Sequence, residues 1–257
     1  MSTNKSFTLL GGRMNKKHLA IIGGLAGMLY TQFASAAIAL DRTRIIYDGA
    51  NRSVSVAVSN ENKDLPYLAQ SWLEDDKGNK ISTPIAALPP IQRIDAGGKS
   101  QIKLQALPEV NSLPQDRESV YYFNLREIPP RSNKPNTLQI ALQTRIKLFY
   151  RPKAIAVKQS DAPWQEKLTL SYAGGKAVAK NPTAYYVTLI DVKKNGKTIE
   201  GFQPMMVPPK GEATIPGNSS DLGNAPVLTY VNDFGGRPTM KLQCNAGQCH
   251  VVESTNN

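Results

Sequence analysis

Reactive side chains gather at only one place in this sequence, where Cys244 and Cys249 lie close together and His250 follows. A thiol nucleophile needs a base within hydrogen-bond reach, and a structural zinc site needs four nitrogen or sulfur ligands. Neither can be assembled, because beyond residue 36 His250 is the only histidine and no second ligand pair exists. A serine triad fails for the same reason. Asp116 and Glu118 could act as the two carboxylates of a glycosidase, but acidic pairs at this spacing are common on solvated surfaces and are read as such. Asp75-Asp76-Lys77-Gly78-Asn79 resembles the opening of a calcium loop, yet the later bidentate glutamate is missing, and a hairpin turn is the better reading. The expectation is a protein that is not an enzyme and carries no cofactor or metal.

The N-terminus reads as a targeting segment. Lys16 and Lys17 precede an apolar run from Leu19 to Leu29, and Ala34-Ser35-Ala36 supplies a small-residue cleavage pattern, so residues 1–36 are expected to be removed and the mature chain to begin at Ala37. Met14 opens a complete signal peptide, which makes residues 1–13 an upstream extension. The run is too short to span a bilayer and nothing later replaces it, so no membrane insertion is expected. Removing the segment lowers the formal charge of +11 by four, to about +7. That basicity is not interleaved with stacking aromatics, and export makes nucleic acid a poor candidate partner. In an oxidising compartment Cys244 and Cys249 are expected to form a local disulfide contributing about 2 kcal/mol.

The remaining pattern is all-β. Short alternating runs are predicted as strands at Leu40–Tyr47, Ser53–Ser59, Tyr67–Leu73, Gln101–Leu104 and Val120–Glu127, with Leu138–Arg151 as the longest. Pro152 ends that run, and a polar stretch to Pro163 places a boundary near Val157, giving domains 37–157 and 158–257. Seven or eight strands before the boundary match one sandwich. The pattern restarts after Trp164 with candidates at Lys167–Tyr172, Tyr185–Val192, Lys197–Phe202, Glu212–Ile215, Val227–Val231, Thr239–Cys244 and Gln248–Val252. Within the long candidate, Leu138, Ile140 and Leu142 alternate with amide or small residues. Periodicity alone fits either an inward core strand or an exposed apolar edge offered to another chain.

Several stretches together resemble the periplasmic pilus chaperones of the PapD-like family. They include Leu40-Asp41-Arg42-Thr43-Arg44, Tyr122-Phe123-Asn124-Leu125-Arg126-Glu127-Ile128-Pro129-Pro130-Arg131, Leu138 through Pro152, and Asn232-Asp233-Phe234-Gly235-Gly236-Arg237-Pro238. The resemblance covers nearly all of the mature chain. It implies two immunoglobulin-like β-sandwich domains forming an L or boomerang with a cleft between them, located in the periplasm.

By that resemblance, Arg44 and Lys147 anchor the terminal carboxylate of a pilus subunit, and Leu138, Ile140 and Leu142 fill the subunit's groove as donor-strand residues. Glu118, Arg151 and Asp233 match an ionic network between domains, and a disulfide between Cys244 and Cys249 occurs in some members. The implied partners are pilus (fimbrial) subunits, including a tip adhesin because the Pro130–Asn136 connection is short, and an outer-membrane usher. Lys147 and Leu138 have opposite parity, so a bulge or sharp twist is expected between them if both serve the subunit. An exposed apolar edge also implies a self-capping dimer when no subunit is bound.

Overall fold

The computed structural model describes residues 36–158 and 161–255. The expected targeting segment lies outside them except for Ala36. The first domain contains β1 (Ile38–Leu40), β2 (Arg44–Asp48), β3 (Ser53–Asn60), β4 (Tyr67–Glu74), β5 (Lys80–Ile81), β6 (Ile85–Leu88), β7 (Ile91–Ile94), β8 (Lys99–Ala106), β9 (Ser119–Ile128) and β10 (Gln143–Arg151). One sheet has the order β1-β3-β8-β6; the other runs β2-β10-β9-β4-β5, with β7 also on β4. Their inner faces close on a core that includes Tyr47, Val56, Ile102, Phe123 and Leu148. β3 shows why the sequence folds this way: Val56 and Val58 are buried while Ser55 and Ala57 face solvent. Each such apolar side chain contributes about 1.5–3 kcal/mol when removed from water.

Two strand expectations in the first domain need correction. Leu40–Tyr47 is not one strand, because β1 ends at Leu40 and β2, in the other sheet, starts at Arg44. The Asp41–Thr43 break carries the chain between sheets. Leu138–Arg151 is also shorter than expected, since β10 begins only at Gln143. Leu142 still accepts a hydrogen bond from the Glu127 amide at 3.0 Å, but β9 ends at Ile128 and offers nothing further upstream to pair with.

β2 and β10 are parallel, unlike the antiparallel pairs elsewhere in this domain, and their register sets Arg44 opposite Lys147. The turn after β2 keeps them together. Gly49 donates to the Arg151 carbonyl at 2.7 Å, and a Cβ at Gly49 would come within 2.9 Å of that oxygen, so only glycine allows the approach.

The chain leaves β10 at Pro152 and enters the second domain through a 3-10 turn over Trp164–Lys167. There follow β11 (Thr169–Ala173), β12 (Lys176–Asn181), β13 (Val187–Lys194), β14 (Lys197–Thr198), β15 (Met205–Val207), β16 (Gly211–Ile215), β17 (Val227–Val231), β18 (Thr239–Asn245) and β19 (Gln248–Thr255). They form one path, β14-β13-β17-β18-β19-β11-β12-β16, with β15 on β13, wrapped around a core that includes Leu170, Leu189, Leu228, Tyr230 and Met240. Cys244 and Cys249 face each other across the β18–β19 hairpin and are joined in a disulfide.

Candidate functional site

The inward residues of β10 are Ile146, Leu148 and Tyr150, all packed in the first core. Alternation therefore turns Arg145, Lys147, Phe149 and Arg151 to the opposite face. The second domain meets that face: the Phe149 ring lies 5.7 Å from the Tyr186 ring. Because Arg44 is paired in register with Lys147, the two cations are neighbours on it. Arg44 donates from Nη1 to the Val231 carbonyl oxygen at 3.1 Å, while its buried Nε has no hydrogen-bond partner. Among the described residues no carboxylate lies within ion-pair distance of Arg44 or Lys147. Burial holds both cations below their ordinary pKa. Lys147 is lowered further by Arg44 and Arg145, whereas Asp233 and Glu118 partly restore Arg44. Two desolvated cations side by side, one with an unsatisfied N–H, are suited to an anion. A cavity of about 440 Å³ adjoins Arg44, with Thr43, Ile46, Asp233 and Phe234 among its other walls.

Behind the cations, Arg151 links the domains. Its Nε donates to Glu118 Oε1 at 2.9 Å, and Nη1 and Nη2 donate to the Asp233 carboxylate at 2.8 and 3.1 Å. Its guanidinium also lies 5.0 Å from the Trp164 ring and 5.1 Å from the Tyr185 ring. Glu118 accepts the Tyr186 amide hydrogen at 2.8 Å and donates its own to Ala184 at 2.8 Å. Burial raises the Glu118 pKa to about 7, against the opposing pull of Arg151 and the Tyr186 N–H. Asp233 sits in a turn shaped by Asn232, whose Oδ1 accepts from the Phe234 and Gly236 amides. Gly235 has φ +84°, and a Cβ there would lie 2.6 Å from Thr43 Oγ1, so this turn seats closely on the first domain.

The apolar triplet lies on the surface. Leu138 is 85% exposed, Ile140 64% and Leu142 44%. β2 covers β10 only from Lys147 to Arg151, so Gln143–Ile146 have no strand on that side among the described residues. The open lane runs from the triplet to Arg44, where β2 begins. The register of β10 with β9 is continuous from Gln143 to Tyr150, so the bulge expected from parity is absent in that stretch. Opposite parity has a simpler meaning. Leu138, Ile140 and Leu142 lie before the start of β10 and are exposed, so strand alternation does not bind their direction to that of Lys147.

Other candidates separate. Asp116 is exposed and paired with Arg117 at 3.0 Å and with Lys210 of the second domain at 2.6 Å, while Glu118 is buried against Arg151, so they do not form an acid pair. Asp75 closes the β4–β5 hairpin by accepting the Lys77 and Asn79 amides. His250 is exposed on β19. The Asp116–Lys210 bridge and the Phe149–Tyr186 contact were not anticipated, and no local pattern marks either. Phe234, 97% exposed, lines the cavity, and its exposure is not legible from sequence.

Two immunoglobulin-like sandwiches meet at a cationic cleft, with an uncovered strand edge leading up to it. The comparisons agree. Residues 37–156 match the family described as "Pili and flagellar-assembly chaperone, PapD N-terminal domain", and residues 163–242 match "Pili assembly chaperone PapD, C-terminal domain". The chain is 52% identical over 222 residues to the probable fimbrial chaperone YfcS of Escherichia coli strain K12, covering 86% of this chain and 88% of that protein. It is 49% identical over 221 residues to the chaperone protein PapD of Escherichia coli, covering 85% and 91%. Among solved structures it resembles the SafB chaperone in complex with the Salmonella enterica SafA pilin, with TM-score 0.70, 26% identity and coverage of 83% and 99%. The chain belongs to the PapD-like family of pilus-assembly chaperones.

Proposed function

We propose that this chain is a periplasmic, non-enzymatic chaperone that holds pilus subunits by donor-strand complementation and hands them to an outer-membrane usher. The observation that carries this reading is the pairing of Arg44 with Lys147 at the point where the uncovered edge of β10 meets the start of β2. A subunit strand entering that lane with its carboxylate at the cations must run in the direction of β2, hence parallel to β10. Its backbone would satisfy the free edge, while Leu138, Ile140 and Leu142 enter the subunit's groove at about 1.5–3 kcal/mol each. The carboxylate would fix the register through charge-assisted bonds worth about 1.5–3 kcal/mol each. Glu118, Arg151 and Asp233 would hold the cleft at the angle this geometry needs.

The test is affinity isolation of the mature protein from the periplasm of its source cells, comparing wild type with Lys147→Ala by mass spectrometry. Small β-rich subunits are expected with the wild type alone. Equal recovery by both proteins removes Lys147 from the mechanism, and recovery by neither contradicts the chaperone reading.

A further inference from the structure

β9 sends Tyr121, Phe123 and Leu125 into the first core, and the same alternation turns Glu127 inward, where it is only 6% exposed. Buried carboxylates are ordinarily paired with a cation, because an uncompensated charge is costly to desolvate. Among the described residues no lysine or arginine forms an ion pair with Glu127. Its Oε2 accepts the Ile38 amide hydrogen at 2.9 Å, and Ile38 is itself buried. The nitrogen of Ala37 is one residue upstream. Ala37 is held in place where its carbonyl accepts the Glu61 amide at 2.7 Å. Consecutive Cα atoms are about 3.8 Å apart, so the Ala37 nitrogen is a single residue's span from the amide that Glu127 holds, and once free it can turn about the Ala37 Cα.

In the uncut chain that nitrogen is a neutral amide. Hydrolysis of the Ala36–Ala37 bond by a peptidase consumes one water, leaves a carboxylate on Ala36 and frees the amine of Ala37, which is protonated below its ordinary pKa of about 8. We propose that Glu127 is the docking site for the α-ammonium of Ala37, so that removal of the targeting segment supplies the missing cation and completes the first domain. The inference rests on cleavage after Ala36 and is independent of subunit binding. It couples processing to folding: the precursor lacks one charge-assisted contact that the mature chain gains.

The test compares the mature chain beginning at Ala37 with the same chain extended by Gly-Ser, each as wild type and as Glu127→Gln, in urea unfolding. The extension is expected to raise the unfolding equilibrium constant about tenfold in the wild type and less than about twofold in Glu127→Gln. An equal effect in both backgrounds overturns the proposal. Should Glu127→Gln fail to fold, acetic anhydride labelling of the wild-type α-amine is followed by mass spectrometry. Labelling slower than that of a peptide beginning Ala-Ile-Ala supports the docked ammonium, and an equal rate overturns it. So does a natural N-terminus at any residue other than Ala37.

Discussion

Arg151 holds carboxylates from both domains, so truncating it would strand a buried charge. Arg151→Ala is expected to cost about 3–5 kcal/mol of stability in denaturant unfolding, far more than an exposed pair such as Arg93 with Asp95 would. Glu118 adds a pH dependence. Its folded pKa of about 7 stands above its ordinary value of 4.5, so the folded state binds the proton more tightly. Its contribution is fully present below pH 4.5 and is lost as pH rises through 7. Glu118→Gln should flatten the decline in stability across that window, measured as urea midpoint against pH, and a variant retaining the wild-type slope would contradict the assignment. At this scale the sequence by itself was nearly silent. Arg44 and Lys147 lie far apart in the chain, and only the parallel β2–β10 register makes them neighbours.

The uncovered stretch from Leu138 to Ile146 separates binding from stability. Ile140 is exposed, so Ile140→Asp should change unfolding stability by no more than about 0.5 kcal/mol while weakening subunit binding at least tenfold in titration calorimetry. Loss of both together would mean that the segment supports the fold. Alternation marked β3 and β9 plainly in the sequence, because their inward positions carry Val, Tyr, Phe and Leu. It could not say whether Leu138, Ile140 and Leu142 face a core or solvent, since both produce period two; their exposure excludes the core. β12 went unread because its buried residues are mainly the small Ala177 and Ala179, and the strand expected over Lys197–Phe202 contracts to Lys197–Thr198.

At the scale of the whole molecule, two sandwiches are stitched together by Arg151, by Arg44 reaching Val231 and by Lys210 reaching Asp116. The cleft is therefore a built feature, while the free edge beside it remains a liability until covered. Unliganded protein should self-associate, with a weight-average mass that rises with concentration in sedimentation and falls back to monomer in Ile140→Asp. The most direct test of the central claim is the dissociation constant of the mature protein for a pilus subunit carrying a free C-terminal carboxylate, compared with the same subunit amidated at that end. Arg44 and Lys147 acting as the anchor require the amide to bind about ten- to a hundredfold more weakly. Equal affinity for the two forms would contradict it.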